Sequence, residues 1–451
     1  MTFKSVLDID CGIRFMYEDL ELNSSCARKM LLESEMMTSK REIDVYYGKL
    51  NELYTKDFKA ISLKLMCLKD IHTTIKRLGA GVVLDDIELF EIKYLAMISQ
   101  DVRKLLLEQR ITAVNLPDLK KVVEILDPDS LNIPSFYVYD SYSEQLAYIR
   151  KEMRNISGYG KEIGEQEREQ LLELQRLNDE QEFQIRENLV GKLLEYAAKL
   201  EHVLKSLSLL DIMIAKCVQM KRLGLCFPSV AEGVETFYCK MFNPMVKKAL
   251  EEAGKEFCPV DIAFQNVPVT IIGANMGGKT VVLKTLAVNQ LLAQFGFGVA
   301  AECCCVNIVD KIMFCIGDDQ NMQKGLSSFA AEMLAIDSVV KSIRKGENIL
   351  ALIDEPARTT NPVEGTALVE GLLEVLPSNA GGLVLTTHYN IKNDKVKRYR
   401  VKGLVDGVMD YMLVEAESGD VPHEAVAIAE KLGIDREWIE LIRKHLTTML
   451  Q

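Results

Sequence analysis

Two groups of residues in this 451-residue chain have types and spacings suited to phosphate chemistry. Gly273-Ala274-Asn275-Met276-Gly277-Gly278-Lys279-Thr280 fits G-x-x-x-x-G-K-[ST], directly after the apolar run Val269–Ile272 and before an amphipathic stretch. The glycines let successive N–H groups turn toward phosphate oxygens at a helix N-terminus. In that arrangement Lys279 neutralises β/γ-phosphate charge and the Thr280 hydroxyl binds Mg²⁺. Downstream, the apolar run Ile349–Ile353 ends in Asp354-Glu355. An Asp there is placed to hold Mg²⁺ through water, and the adjacent Glu to orient or deprotonate an attacking water. A third apolar run, Leu383–Thr387, ends in His388, positioned to contact the γ-phosphate or the water. The expected ligands are ATP and Mg²⁺.

These residues need a central sheet, and the surrounding sequence predicts one. After Gly224-Leu225-Cys226-Phe227-Pro228, short β-rich runs alternate with helical patterns, which indicates an α/β domain. The expected strands include Val269–Ile272, Ile349–Ile353, Leu383–Thr386 and Met409–Glu415, with helices over Val281–Phe295 and Gly365–Leu376 and two short helices around Gly433. Upstream the texture is helical. From about Glu165 to Leu223 there is almost no breaker, and Leu193, Ala197, Leu200, Leu204 and Leu207 form a seam at alternating spacings of four and three. Ile133–Asp140 reads as extended and aromatic, and Ser157-Gly158-Tyr159-Gly160 as a turn. The expected organisation is a helical core and lever over 1–228 with a short arm at about 130–190, an ABC-type P-loop ATPase domain over 229–400, and a strand with a helix-turn-helix dimerisation segment over 401–451.

Composition narrows the partners. A net charge of −12 and a pI near 5.2 weigh against extensive phosphate-backbone contact, though not against a local basic stripe. None of the eleven cysteines falls in a C-x-x-C spacing. Cys303-Cys304-Cys305 would point to alternate faces of a strand, a poor tetrahedral site, so a buried strand of reduced thiols is expected. With no apolar leader or bilayer-length apolar run, the expectation is a cytoplasmic protein without a membrane partner.

The order of the motifs resembles the ATPase domain of the MutS family. Gly273 to Thr280 is similar to that family's P-loop, Gly325-Leu326-Ser327-Ser328-Phe329-Ala330-Ala331-Glu332-Met333 to its signature loop, Asp354 to Gly365 to its Walker B and D-loop, and Thr387-His388-Tyr389 to its H-loop. The resemblance implies that Phe257 stacks on adenine, that Asn275 faces the γ-phosphate, and that Asp420 to Leu441 braces a partner's ATPase domain. It also implies a composite site: Lys279, Thr280, Asp354, Glu355 and His388 from one chain, and Ser327 and Ser328 from a homo- or heterodimeric MutS-like partner. Hydrolysis is then coupled to how two chains sit together.

The chain departs from the mismatch-repair pattern, with no Phe-x-Glu motif and no room for a connector domain. The small nuclease tail of the recombination-suppressing branch is also missing. Residues 161–190 carry nine acids against four bases, a surface that repels a phosphate backbone. This build looks most like the MutS-related reactivase ATPases of adenosylcobalamin-dependent lysine and ornithine aminomutases. The primary expectation is an ATP-driven remodeller of an aminomutase client. The alternative is a DNA-binding MutS-type clamp, and a third reading is a structural ATPase paralogue that needs a partner for turnover.

Overall fold

The computed structural model describes residues 1–157, 164–231, 233, 235–265, 267–273, 278–315, 328–358, 360–375, 381–405, 408–417 and 434–449. Helices precede the sheets: α1 Phe3–Val6, α2 Ile13–Glu18, α3 Ser25–Glu33, α4 Lys40–Tyr54, α5 Lys59–Leu65, α6 His72–Gly79, α7 Asp86–Glu108, α8 Lys120–Leu126, α9 Glu144–Ile156, α10 Glu165–Leu193 and α11 Ala197–Leu223. Then come β1 Ser229–Ala231, β2 Thr236–Met241, α12 Pro244–Glu252, β3 Val260–Phe264, β4 Val269–Ile272, α13 Lys279–Gln294, β5 Cys303–Asn307 and β6 Lys311–Cys315. The chain continues through α14 Ser328–Arg344, β7 Ile349–Ile353, α15 Pro362–Val375, β8 Gly382–Thr387, β9 Lys397–Val405, β10 Val408–Glu415 and α16 Arg436–Met449.

Two compact units result, one of 21–32 and 49–215, the other of 1–20, 33–48 and 216–451. They divide the chain differently from the sequence bounds, because two N-terminal segments fold with the sheet-bearing part. The turn expected at Ser157–Gly160 and most of the helix-turn-helix expected at 420–441 lie outside the described residues.

The helical unit is built on amphipathic stripes. Helix α7 starts at a capping box in which Asp85 accepts from the Glu88 N–H at 2.8 Å and Glu88 accepts from the Asp85 N–H at 3.1 Å. It buries Leu89, Ile92, Leu95, Ala96, Val102 and Leu106. Lys93 lies on the same face, fully buried, and donates to Asp127 at 3.1 Å, the Ser135 carbonyl at 3.0 Å and the Tyr139 hydroxyl at 3.1 Å. Residues 133–139 pair with no strand, and Lys93 anchors them through the Ser135 carbonyl and the Tyr139 hydroxyl. The leucine seam is buried as expected at Leu193, Leu200, Leu204 and Leu207, with a 3₁₀ turn at Leu194–Tyr196 separating α10 from α11. Helix α10 is mostly polar and buries only Asn178, Leu189, Val190 and Leu193. Two of its arginines are already paired: Arg176 with Glu173 and Glu180, and Arg186 with Glu182 and Asp86.

The other unit carries two sheets. Six strands run in the order β10-β9-β4-β8-β7-β6, parallel from β9 to β6, with β10 antiparallel at one edge. Every residue of β4, β7 and β8 is buried, as a parallel sheet covered on both faces requires. A four-stranded sheet, β1-β5-β2-β3, stands beside it. The triple-cysteine run does form a strand, β5, but only Cys304 is buried. Cys303 is exposed and Cys305 half-buried, because alternation puts them on the other, less covered face.

Helix α13 is buried along nearly its whole length, and its C-terminal carbonyls are capped by residues distant in sequence. The Tyr47 hydroxyl lies 2.9 Å from the Ala293 carbonyl and 2.7 Å from that of Phe297, while the Met37 N–H donates to Gln294 at 2.9 Å. Gly296 is left-handed at φ 69°, and a Cβ there would meet the Tyr46 ring at 2.3 Å, so only glycine fits. Lys216 donates to the Phe295 carbonyl at 2.6 Å and to the Tyr46 hydroxyl at 2.9 Å, with its ammonium 4.2 Å from the Phe297 ring centroid. Burial pushes this lysine down from 10.5 to about 7. The unfolded chain therefore holds more protons than the folded one between about pH 7 and 10.5, and folding stability should rise with pH across that window. Lys216→Met should flatten this dependence, as read from urea midpoints at pH 6.5 and 9.5; an unchanged slope would show that Lys216 titrates normally.

Candidate nucleotide site

Strand order decides which residues meet. Because β8 lies between β4 and β7, Ile272 pairs with Thr387 and Ile353 with Leu385. Gly273, Asp354 and His388 thus leave the C-terminal edge of three adjacent parallel strands, where α/β sheets hold their ligands. Gly278 at φ 79° caps α13, whose first residues are Lys279 and Thr280.

Asp354 is gripped by two hydroxyls. Thr280 donates to one carboxylate oxygen at 2.7 Å and Thr386 to the other at 2.5 Å. Thr386 also accepts from the Glu355 N–H at 2.9 Å, which aims the following turn. That turn is strained: Glu355 and Ala357 adopt φ of 43° and 60°, unusual for residues with a Cβ. Neighbours hold it. The Ala357 N–H donates to Glu332 at 2.9 Å, and the Tyr389 hydroxyl donates to the Ala357 carbonyl at 2.7 Å.

Lys279 is buried at 4% exposure and has two partners here, the Gly273 carbonyl at 2.7 Å and Glu355 at 3.0 Å. Burial by itself would raise the Glu355 carboxyl, but the hydrogen bond and charge of Lys279, with Arg358 at 3.3 Å, hold it below the usual range. The exposed His388 lies over Tyr389, ring centroids 4.2 Å apart. Loss of water pulls its imidazole below the ordinary value, against the opposing pull of Glu355, so it is neutral at neutral pH.

The structure thus brings Gly273, Gly278, Lys279, Thr280, Asp354, Glu355 and His388 to one place. Ala274, Asn275, Met276, Gly277 and Ser327 lie outside the described residues, and Ser328 opens α14. Phe257 is half-buried in the connection to β3; its neighbour Cys258 contacts the backbone at Tyr411. Sequence reasoning missed Thr386, Glu332 and Tyr411. Tyr411, 41% exposed on β10, would stand 3.2 Å from a Cβ at Gly278, so an aromatic ring adjoins the start of α13. A hydroxyl near a strand end was visible for Thr386, but nothing local tied Tyr411 to α13. The Thr280 hydroxyl and Asp354 carboxylate are hard oxygens 2.7 Å apart, a set that suits Mg²⁺ completed by water and phosphate.

A buried parallel sheet with a glycine-bounded helix start and a carboxylate pair at its edge defines a mixed α/β domain. Residues 269–412 match MutS domain V, the ATPase domain of the MutS family. The endonuclease MutS2 of Thermus thermophilus is 34% identical over 220 residues, 48% of this chain and 28% of that one. That of Enterococcus faecalis is 28% identical over 266 residues, 57% and 32% of the two chains. The longest of these alignments, to endonuclease MutS2 of Pelotomaculum thermopropionicum, is 25% identical over 460 residues and covers 84% of this chain and 56% of the relative. The chain therefore spans between about a quarter and just over half of the length of these relatives. Each of these similarities is to the MutS family, over the stretches given. Among the described residues no helix is long and apolar enough to cross a membrane.

Proposed function

We propose that the chain hydrolyses ATP at this edge of the sheet and uses the cycle to change its hold on a partner. The observation that carries this is the convergence of Lys279, Thr280, Asp354, Glu355 and Thr386 from three separate segments. Gly273 to Thr280 cradle the phosphates, and Tyr411 and Phe257 offer aromatic walls for the base. Thr280 and, through water, Asp354 would hold Mg²⁺, which would supply positive charge to the phosphates. Triphosphate draws Lys279 away from Glu355. The released carboxylate regains its proton affinity and orients or deprotonates the attacking water beside His388. Ser327 and Ser328 of a second MutS-like subunit close the cage over the γ-phosphate. Turnover per subunit should therefore rise steeply with protein concentration, or on adding a companion subunit. Rates strictly proportional to concentration throughout would remove the two-chain site.

The partner class that the relatives favour is duplex DNA, since the proteins it aligns with are described as endonucleases. This reading displaces the aminomutase reactivase as the first choice. A clamp should be retained on DNA at low salt, with affinity falling roughly 10³–10⁵-fold between 50 and 200 mM salt if several phosphates are contacted. The second reading, an ATP-driven remodeller of a protein client, is favoured by α10, whose Arg176 and Arg186 are committed to carboxylates and leave an acidic surface. Salt-independent or absent retention on DNA would favour it.

A further inference from the structure

We propose that Cys226 and Cys304 form a thiol-oxidation site, in which a hydroperoxide converts the pair to a reversible disulfide. Their sulfurs already lie 3.8 Å apart. Both backbones are fixed: Cys226 exchanges two hydrogen bonds with Val299, each 2.9 Å, and Cys304 sits within β5 opposite Tyr238. Closing the bond brings these sulfurs from 3.8 Å to the roughly 2.0 Å of a disulfide. The two residues differ in the way such a site requires. Cys226 is partly exposed, and the hydrogen bond from Cys304 holds its thiol below the usual value despite burial. Cys304 is buried, and that bond and its burial raise it, so Cys226 is the attacking sulfur and Cys304 the resolving one.

A second observation is independent of the thiols' own geometry. The Tyr238 hydroxyl is buried and has no hydrogen-bond partner among the described residues, and the ionisable groups acting on it are Cys304, Cys226 and Cys305. An orphaned buried donor is costly unless some state supplies an acceptor. The oxygen of a sulfenate formed at this pair would supply one.

The chemistry balances. The Cys226 thiolate attacks one peroxide oxygen, the O–O bond breaks, and hydroxide leaves as water with the thiol's proton. Cys304 then attacks the sulfenyl sulfur, the S–O bond breaks, and the second hydroxide takes the Cys304 proton. Two thiols lose two electrons, and one hydrogen peroxide becomes two waters.

The test is thiol mapping of the reduced full-length chain after equimolar hydrogen peroxide, with alkylation of free thiols, digestion and mass spectrometry. A linked peptide pair containing Cys226 and Cys304, lost on adding reductant and in Cys226→Ser, is expected. The bond would join residues 78 apart, so oxidised protein should also unfold at higher urea. The competing pair is Cys239 and Cys303, opposite one another on β2 and β5. If those two link while Cys226 and Cys304 are recovered alkylated, or if Cys226 stops at sulfinic acid, the proposal is overturned. None of these readouts depends on ATP turnover.

Discussion

Glu355→Gln should reduce ATP turnover by about 10²–10⁴-fold while leaving nucleotide bound. The amide keeps the side chain's shape but cannot accept the proton of the attacking water. A second consequence separates this from general damage. Glu355 holds Lys279 at 3.0 Å, and a bound triphosphate would compete for that ammonium. Removing the negative charge releases buried Lys279 for phosphate, so ATP should bind more tightly than to the parent chain. Fluorescent-nucleotide titration and single-turnover hydrolysis would measure the two effects together. Normal turnover would mean that Glu355 is not the base, and weakened binding would mean that the Lys279 exchange is wrong. Lys279→Ala, by contrast, should impair binding itself.

The largest stability effect is expected in the helical unit. Lys93→Ala should destabilise that unit by about 3–5 kcal/mol, because it strips the partner from a buried carboxylate. Asp127 is held below its ordinary range although burial opposes this, the Asn132 N–H and Lys93 being the compensating groups. A carboxyl lowered on folding stabilises above its ordinary value near 3.8, and that contribution is lost as pH falls through the lowered value. The loss in Lys93→Ala should therefore be full at neutral pH and shrink in acid. Replacing both members together, Lys93→Met with Asp127→Leu, should cost less than the single change, since no charge is then stranded. Urea unfolding of the parent chain, Lys93→Met, Asp127→Leu and the double variant forms the cycle. A double variant destabilised by the sum of the two single changes would show that the pair is not coupled.

How far the site was legible depended on whether its parts were local. The G-x-x-x-x-G-K-[ST] spacing, the apolar run before Asp354-Glu355 and the run before His388 are local patterns, and each lies on the element expected for it. Strands β6 and β9 were not read. Lys311–Cys315 is too short to show a period, and Lys397–Val405 carries four basic residues. Burial within the sheet, not composition, makes β9 a strand. Ile133–Asp140, read as extended, pairs with no strand: its Ser135 carbonyl and Tyr139 hydroxyl accept from the buried Lys93.

By itself the sequence determined the alternation of apolar runs and helices, the leucine seam of α11, and the candidate groups Lys279, Thr280, Asp354, Glu355 and His388 for phosphate chemistry. These follow from periodicity and from the few side chains able to meet a phosphate or a metal. Tertiary structure alone decided that β8 stands between β4 and β7, so that Thr386 clasps Asp354, and that Tyr411 reaches Gly278. It alone also decided that Lys279 and Glu355 neutralise one another, and that Cys226 meets Cys304. Strand order and long-range register are set by how separate segments pack together, and no local spacing encodes which distant residue fills the space beside a given one.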